Sequence, residues 1–326
     1  SAAAHGKLDV LRELLDRDPE SVNAPGGDGE RPIHFAKTLE VAELLIERGA
    51  DLEIRDIDHE GTPLQYQVNN RDVARALLRH GAKGDIFTAA ALDDVDLLKR
   101  LLAEDPGALS AHVGQAPFIT TASEGGHIYL YRLGGGKSPH QVAAERKSLN
   151  VLRELEKIGS PGQNLVAAAW TEDAEALSRI MSANPGLTIG PEDSKALASA
   201  AQDGRAETVR MLLEAGADPL VTGMDRGTPL HIACWFGHLP VVKLLLDRVP
   251  IDLRDASHGS TPLGWATHGS QFCRNDKGDY VGVVRALLAA GADIEAPANS
   301  ANTSLLVQAG DREDVKEVLR SAGVKA

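Results

Sequence analysis

The sequence predicts an all-α solenoid of about ten helix-turn-helix units, one of them interrupted by a β-hairpin. Three observations predict it. A phrase ending in Thr-Pro-Leu recurs as Gly61-Thr62-Pro63-Leu64, Gly227-Thr228-Pro229-Leu230-His231 and Gly259-Ser260-Thr261-Pro262-Leu263, with looser copies at Arg31-Pro32-Ile33-His34 and Ser138-Pro139-His140. Pro32 and Pro63 lie 31 residues apart and Pro229 and Pro262 lie 33 apart, a period that belongs to stacked supersecondary units rather than to one globular core. Each phrase is followed by a small-residue segment, a polar break and a Val-x-x-Leu-Leu segment that closes on Gly-Ala-Asp.

Each element has a physical reason. Proline at the first helical position gives up an amide hydrogen the helix would not use, its φ already suits the helix, and the preceding Thr can cap. The second helices carry Val10/Leu14/Leu15, Val41/Leu44/Leu45, Val73/Leu77/Leu78, Leu97/Leu101/Leu102, Val209/Leu212/Leu213, Val241/Leu244/Leu245, Val283/Leu287/Leu288 and Val315/Leu319. That spacing makes one apolar stripe per helix, which a neighbouring repeat must cover. Gly49-Ala50-Asp51, Gly216-Ala217-Asp218 and Gly291-Ala292-Asp293 end helices with a residue that tolerates left-handed dihedrals, whereas Asp18-Pro19, Asp105-Pro106 and Asn184-Pro185 end them by proline.

These residues resemble the ankyrin repeat, whose Thr-Pro-Leu-His-x-Ala, helix, helix, Gly-Ala-Asp order they reproduce. The likeness is strongest over 227–260, good over 29–83 and 194–293, and weak over 85–192, and the divergent centre with two insertions suggests a bacterial-type member. Counting from Pro229 puts first-helix positions at 32, 63, 85, 139, 164, 196, 229, 262 and about 304, with one unit already under way at Ser1, so that 1–326 reads as a single array. Two intervals exceed the period, placing insertions at 111–137 and 269–281, and such insertions project from one face, often the working one.

Lys plus Arg number 34 against 47 Asp plus Glu, a formal charge of -13, which disfavours a phosphate-bearing partner such as nucleic acid. The two cysteines, Cys234 and Cys273, fall in different repeats; with His231 and His268 they match no zinc-ligand spacing, so no metal and no cofactor is expected. No leader and no apolar run long enough for a membrane span is read, and a soluble, cytoplasmic monomer is expected.

The resemblance implies that the last residues of each first helix face the concave side, which the count assigns to Trp170, Trp235/Phe236 and His268, with Trp265 one turn earlier. Aromatic residues are 4% of the chain, so their gathering there suggests a recognition surface, although indoles sealed between repeats would give the same pattern. Within 118–133, two β-prone runs flank Gly125-Gly126, and a hairpin would put His127, Tyr129 and Tyr131 on one face. Gly134-Gly135-Gly136-Lys137-Ser138 has the tail of a phosphate loop but lacks its first glycine, Tyr131 standing there. In the second insertion His268, Arg274, Asp279 and Tyr280 could come within reach of one another as an acid/base group. His34 and His231 occupy a position that the resemblance makes structural, while His140 stands one place earlier.

Two readings follow. The preferred one is a scaffold that binds a protein or peptide through Trp170, Trp235, Phe236, Trp265, His268 and the face His127/Tyr129/Tyr131. The alternative is an ankyrin-fold enzyme or small-molecule receptor, its pocket roofed by both insertions, with His268, Asp279, Tyr280, His127 and His140 as candidate acid/base groups.

Overall fold

A computed structural model describes residues 2–120, 126–273 and 275–325. Among the described residues every regular element is helical, and the chain divides into two compact units, Ser1–Gly159 and Ser160–Ala326.

The first unit contains α1 (Leu8–Arg17), α2 (Leu39–Glu47), α3 (Pro63–Tyr66), α4 (Arg71–Arg79), α5 (Ile86–Leu92), α6 (Val95–Glu104), α7 (Tyr129–Arg132), α8 (Pro139–Glu145) and α9 (Leu149–Ile158). Helix starts are capped where the phrase predicts them: the hydroxyls of Thr62 and Ser138 accept from the amides of Gln65 and Gln141, whose side chains return a bond to the cap amide. Pro32 opens only a 3-10 turn, Pro32–Phe35. Second helices stack on second helices, α2 on α4 and α6 on α9, with Val41, Leu45, Val73, Leu77, Val151 and Leu155 fully buried in the seams. Each such side chain stabilises the stack by about 2 kcal/mol through the apolar area it withdraws from water. In α1 the buried stripe is Leu11/Leu15, with Val10 and Leu14 exposed, one position away from the predicted face.

The expected hairpin over 118–133 is not formed. Residues 121–125, including Gly125, lie outside the described residues, and the run meant for its second strand makes the helical turn α7. A strand would have put Tyr129 and Tyr131 on one face, but a helical turn separates them: Tyr129 is 0% exposed and Tyr131 63%. The cause is tertiary. The Tyr129 hydroxyl donates to the Asp85 carboxylate at 2.8 Å, and its ring packs edge-on to Phe87. Phe118, His127 and Tyr129 close into one buried aromatic cluster over α5. The neck of the segment is tied by the Val113 amide donating to the Lys137 carbonyl at 3.0 Å and the Gly136 amide to the Val113 carbonyl at 2.8 Å. Lys137, at the tail of the glycine-rich run, is buried in an ion pair with Glu145 at 2.6 Å.

The second unit contains α10 (Pro161–Trp170), α11 (Ala174–Ala183), α12 (Pro191–Gln202), α13 (Ala206–Glu214), α14 (Pro229–Trp235), α15 (Leu239–Leu245), α16 (Pro262–Phe272), α17 (Tyr280–Ala289), α18 (Leu305–Gln308) and α19 (Glu313–Ser321). Two first helices begin earlier than the predicted 164 and 196, at Pro161 and Pro191, because those prolines are the real N-terminal stops. The loop expected over 269–281 begins as helix, since α16 continues through Phe272 before the chain turns into α17. Gly269 lets α16 lie against α14: a Cβ there would stand 2.3 Å from the Trp235 carbonyl oxygen.

His140 occupies the place that Leu230 holds in the repeat of α14, one residue after the helix-opening proline, and like Leu230 it is fully buried. Neither of its ring nitrogens has a well-formed hydrogen bond, and the nearby Leu155 backbone offsets the burial only in part. Burial, with a smaller push from His112, holds its pKa down to about 4. The unfolded imidazole takes its proton near pH 6.5 while the folded one refuses it, so stability is lost as pH falls from about 6.5 to about 4. This site alone accounts for about 3 kcal/mol of that loss. His140→Leu is expected to raise the urea midpoint at pH 7 and to flatten the dependence of stability on pH between 4 and 6.5; an unchanged pH profile would show that His140 is not the sensor.

Candidate binding site

The second unit carries a cleft of about 360 Å³ built from three successive repeats. Its base is set by a turn carboxylate. Asp255, buried just ahead of α16, accepts from the amides of Ser257 at 2.8 Å, His258 at 2.6 Å and Ser260 at 2.9 Å, and from the indole N–H of Trp265 at 2.8 Å. Burial alone would raise the pKa of this carboxyl, but the donated bonds outweigh it and hold the group below its usual range, so it is ionised. Trp265 is thereby pinned with its ring at the cleft.

From Trp265 a continuous aromatic ladder runs outward. Its ring meets Trp235 edge-on at 6.2 Å, Trp235 meets His268 at 5.4 Å, and His268 meets Phe272 at 4.5 Å. Inward, Trp265 meets His231 at 5.5 Å. The ladder climbs from buried to open: Trp265 is buried, Trp235 and His268 are half-buried, and Phe272 is 59% exposed. The opposite wall is polar, with Ser260, Asn299 and Gln308, and Asp225 stands near His258 at 3.8 Å. The Gln308 Oε1 atom is buried with no hydrogen-bond partner, a cost the fold leaves at the cleft wall. Burial, then the neighbouring His258, lowers the pKa of His268, so this imidazole is neutral at pH 7.

The other predicted site residues are placed elsewhere. Trp170 is 1% exposed, under the Arg205 guanidinium at 4.9 Å, so it seals a seam between repeats and presents nothing to a partner. Phe236 stacks on His238 at 5.9 Å. Asp279 caps α17 by accepting from the Gly282 amide at 2.8 Å, and the Tyr280 hydroxyl donates to the Trp235 carbonyl at 3.0 Å. Burial raises the Tyr280 pKa, with Cys273 adding to it. Tyr280 thus ties the start of α17 to α14 while Asp279 serves its own helix, and His268 makes its ring contacts with Trp235 and Phe272; Arg274 lies outside the described residues. His127 and Tyr129 are buried in the first unit, His127 accepting from the Tyr129 amide at 3.2 Å. Of that trio Tyr131 alone is exposed.

Sequence reasoning passed over Asp255, His258 and Gln308. A signal existed for the first two: Arg254-Asp255 and His258 ahead of Thr261-Pro262-Leu263 repeat Arg55-Asp56 and His59 ahead of Thr62-Pro63-Leu64. No local pattern marks Gln308, whose place at the cleft depends on how α18 packs on α16.

Comparison with known proteins agrees with this architecture. The family model for ankyrin repeats, in three copies, matches residues 1–88, 164–255 and 197–298. The ankyrin repeat protein nuc-2 of Neurospora crassa is 24% identical over 248 residues, covering 75% of this chain and 17% of that protein. A putative ankyrin repeat protein of fowlpox virus, FPV022, is 26% identical over 257 residues, covering 69% of this chain and 43% of the relative. Protein fem-1 homolog A of Danio rerio is 38% identical over 98 residues, 29% of this chain and 15% of that protein. The chain thus spans less than half the length of these relatives, which are eukaryotic and viral and lend no support to the bacterial type expected. Among the described residues no helix is long and apolar enough to cross a membrane.

Asp255→Ala removes the shared acceptor of three amides and an indole, and is expected to cost about 3 kcal/mol of unfolding free energy in urea melts. Loss of the Trp265 near-ultraviolet dichroism before the global transition would confirm that the carboxylate fixes the ring; a variant of unchanged stability would refute the role.

Proposed function

This chain belongs to the ankyrin-repeat family, and from that premise we propose that it is a scaffold which binds a protein or peptide through the aromatic cleft of its second unit. Ankyrin repeats generally mediate contacts between proteins. The observation that carries the finer reading is the ladder Trp265–Trp235–His268–Phe272, which ends on exposed rings instead of closing into the core. Half-buried aromatic rings held rigidly in a cleft offer large contact area at little entropic cost, the usual composition of an interaction hot spot.

The scaffold reading is favoured over the acid/base group expected from the second insertion because two of its members are committed to structure, Asp279 as a helix cap and Tyr280 to a backbone carbonyl, which leaves His268 without them. The surface is correspondingly smaller than the sequence suggested, resting on Trp235, Trp265 and His268 with Phe272, and without Trp170 or Tyr129. An intracellular setting fits the same reading, since both Cys234 and Cys273 are free thiols.

A peptide-display selection against the full chain, counter-screened on Trp235→Ala, tests this directly. Bound sequences should lose about 2 kcal/mol or more of affinity on the variant while its melting temperature holds. Binders indifferent to Trp235 would refute the cleft as the interaction site.

A further inference from the structure

The first unit repeats the turn that forms the base of the cleft, and there the surface beside the turn is covered. Arg55-Asp56, His59, Gly61, Thr62-Pro63-Leu64, Tyr66 and Asn69 stand at the same relative positions as Arg254-Asp255, His258, Ser260, Thr261-Pro262-Leu263, Trp265 and His268. The turn geometry is also shared. Asp56 accepts from the amides of His59 at 2.6 Å and Gly61 at 2.7 Å, as Asp255 does from His258 and Ser260.

In the first unit this surface is covered by the segment Gly126–Arg132 of the insertion. The Gly126 carbonyl contacts His59 Nδ1 at 2.8 Å, and the Tyr131 ring lies on the His59 ring at 4.8 Å. Ile128 packs into the space left by Gly61, where a Cβ would stand 2.5 Å from its Cγ2. The Arg132 guanidinium lies over the Tyr66 ring at 5.6 Å, and the Arg132 carbonyl accepts from Asn69 Nδ2 at 3.0 Å. Four positions therefore hold the segment: His59, Gly61, Tyr66 and Asn69. Their counterparts His258, Ser260, Trp265 and His268 all line the cleft of the second unit.

Resting on the peptide-binding reading above, we infer that the second-unit cleft takes an arginine-bearing turn of a partner protein, in the way the first unit takes its own Arg132. The chemistry of the cleft agrees. Trp265 stands where the first unit has the Tyr66 phenol, an indole being the better cation–π face, Trp235 adds a second indole where the first unit has Thr38, and the Trp265 N–H is bonded to an ionised carboxylate, which enriches the ring in electron density. Asp225 supplies a carboxylate, and no Lys or Arg lines the cleft among the described residues. A guanidinium is flat enough to stack on an indole and carries donors in its plane for the carboxylate. Ser260, in place of Gly61, donates its hydroxyl to the Ala298 carbonyl, so the chain's own next turn fills much of the space that Ile128 takes in the first unit and the partner has room there only for a small residue.

The test uses a labelled peptide with the sequence of Gly126–Leu133 carrying Ile128→Ala, titrated against the full chain by fluorescence anisotropy. Saturable binding is expected, weakened about tenfold or more when citrulline replaces the peptide arginine, since citrulline keeps the shape and loses the charge. The same loss is expected with Trp235→Ala, and about threefold with Asp225→Asn, whose exposed side chain is no part of the core. Equal affinity for arginine and citrulline peptides, no binding of the arginine peptide, or binding that ignores both variants would overturn the inference. Display-selected binders that need Trp235 but contain no arginine would also overturn it while leaving the cleft a peptide site; binders that ignore Trp235 would remove the cleft itself.

Discussion

Every helix pair in this chain buries one apolar stripe that it cannot cover by itself, and the rest of the structure follows from that requirement. Val41, Leu45, Val73 and Leu77 in the first unit and Val209, Leu212, Val241 and Leu245 in the second are fully buried only because a neighbouring repeat lies over them. Stacking of this kind fixes the spacing between first helices, and so fixes how far apart the turns and helix ends stand that carry the polar and aromatic groups. A one-dimensional core leaves a long surface with repeated geometry, on which a few substitutions can make a site without disturbing the stack.

The turn ahead of α16 illustrates how such a site is made rigid. A buried carboxylate is tolerable only when its lone pairs are filled, and Asp255 fills them with three amides and the Trp265 indole. The same device in the first unit, centred on Asp56, supports a surface that the insertion covers with Ile128, Tyr131 and Arg132. One local solution thus appears twice, once covered by the insertion and once forming the base of a cleft. The buried histidines show the opposite economy. His231 spends both nitrogens on the Thr228 amide and the carbonyls of Leu253 and Ser260, whereas His140 stands at a leucine position with neither nitrogen well satisfied.

Much of the fold was legible because it rests on short-range rules. Pro63, Pro139, Pro229 and Pro262 open helices where the phrase put them, and their caps are the Thr and Ser residues that precede. The misreadings arose where long-range contacts overrode a local pattern. Alternation in His127-Ile128-Tyr129-Leu130-Tyr131 looks like a strand, yet the Tyr129 hydroxyl reaches Asp85 and pulls the run into a helical turn. Trp170 sits at the end of its helix as the count required, but an arginine from the next repeat closes over it.

Local chain chemistry is enough to specify the repeat, the helix boundaries marked by proline and capping residues, and the crowding of aromatic residues toward Trp235 and Trp265, since each depends on dihedral preference or on periodicity within one unit. Packing between repeats settles which of those rings remain open, that Asp255 anchors Trp265, that Gln308 completes the wall, and that Arg132 lies on the matching turn of the first unit. Exposure and partnership are properties of the neighbours a residue acquires when repeats stack, and no single repeat encodes its neighbours.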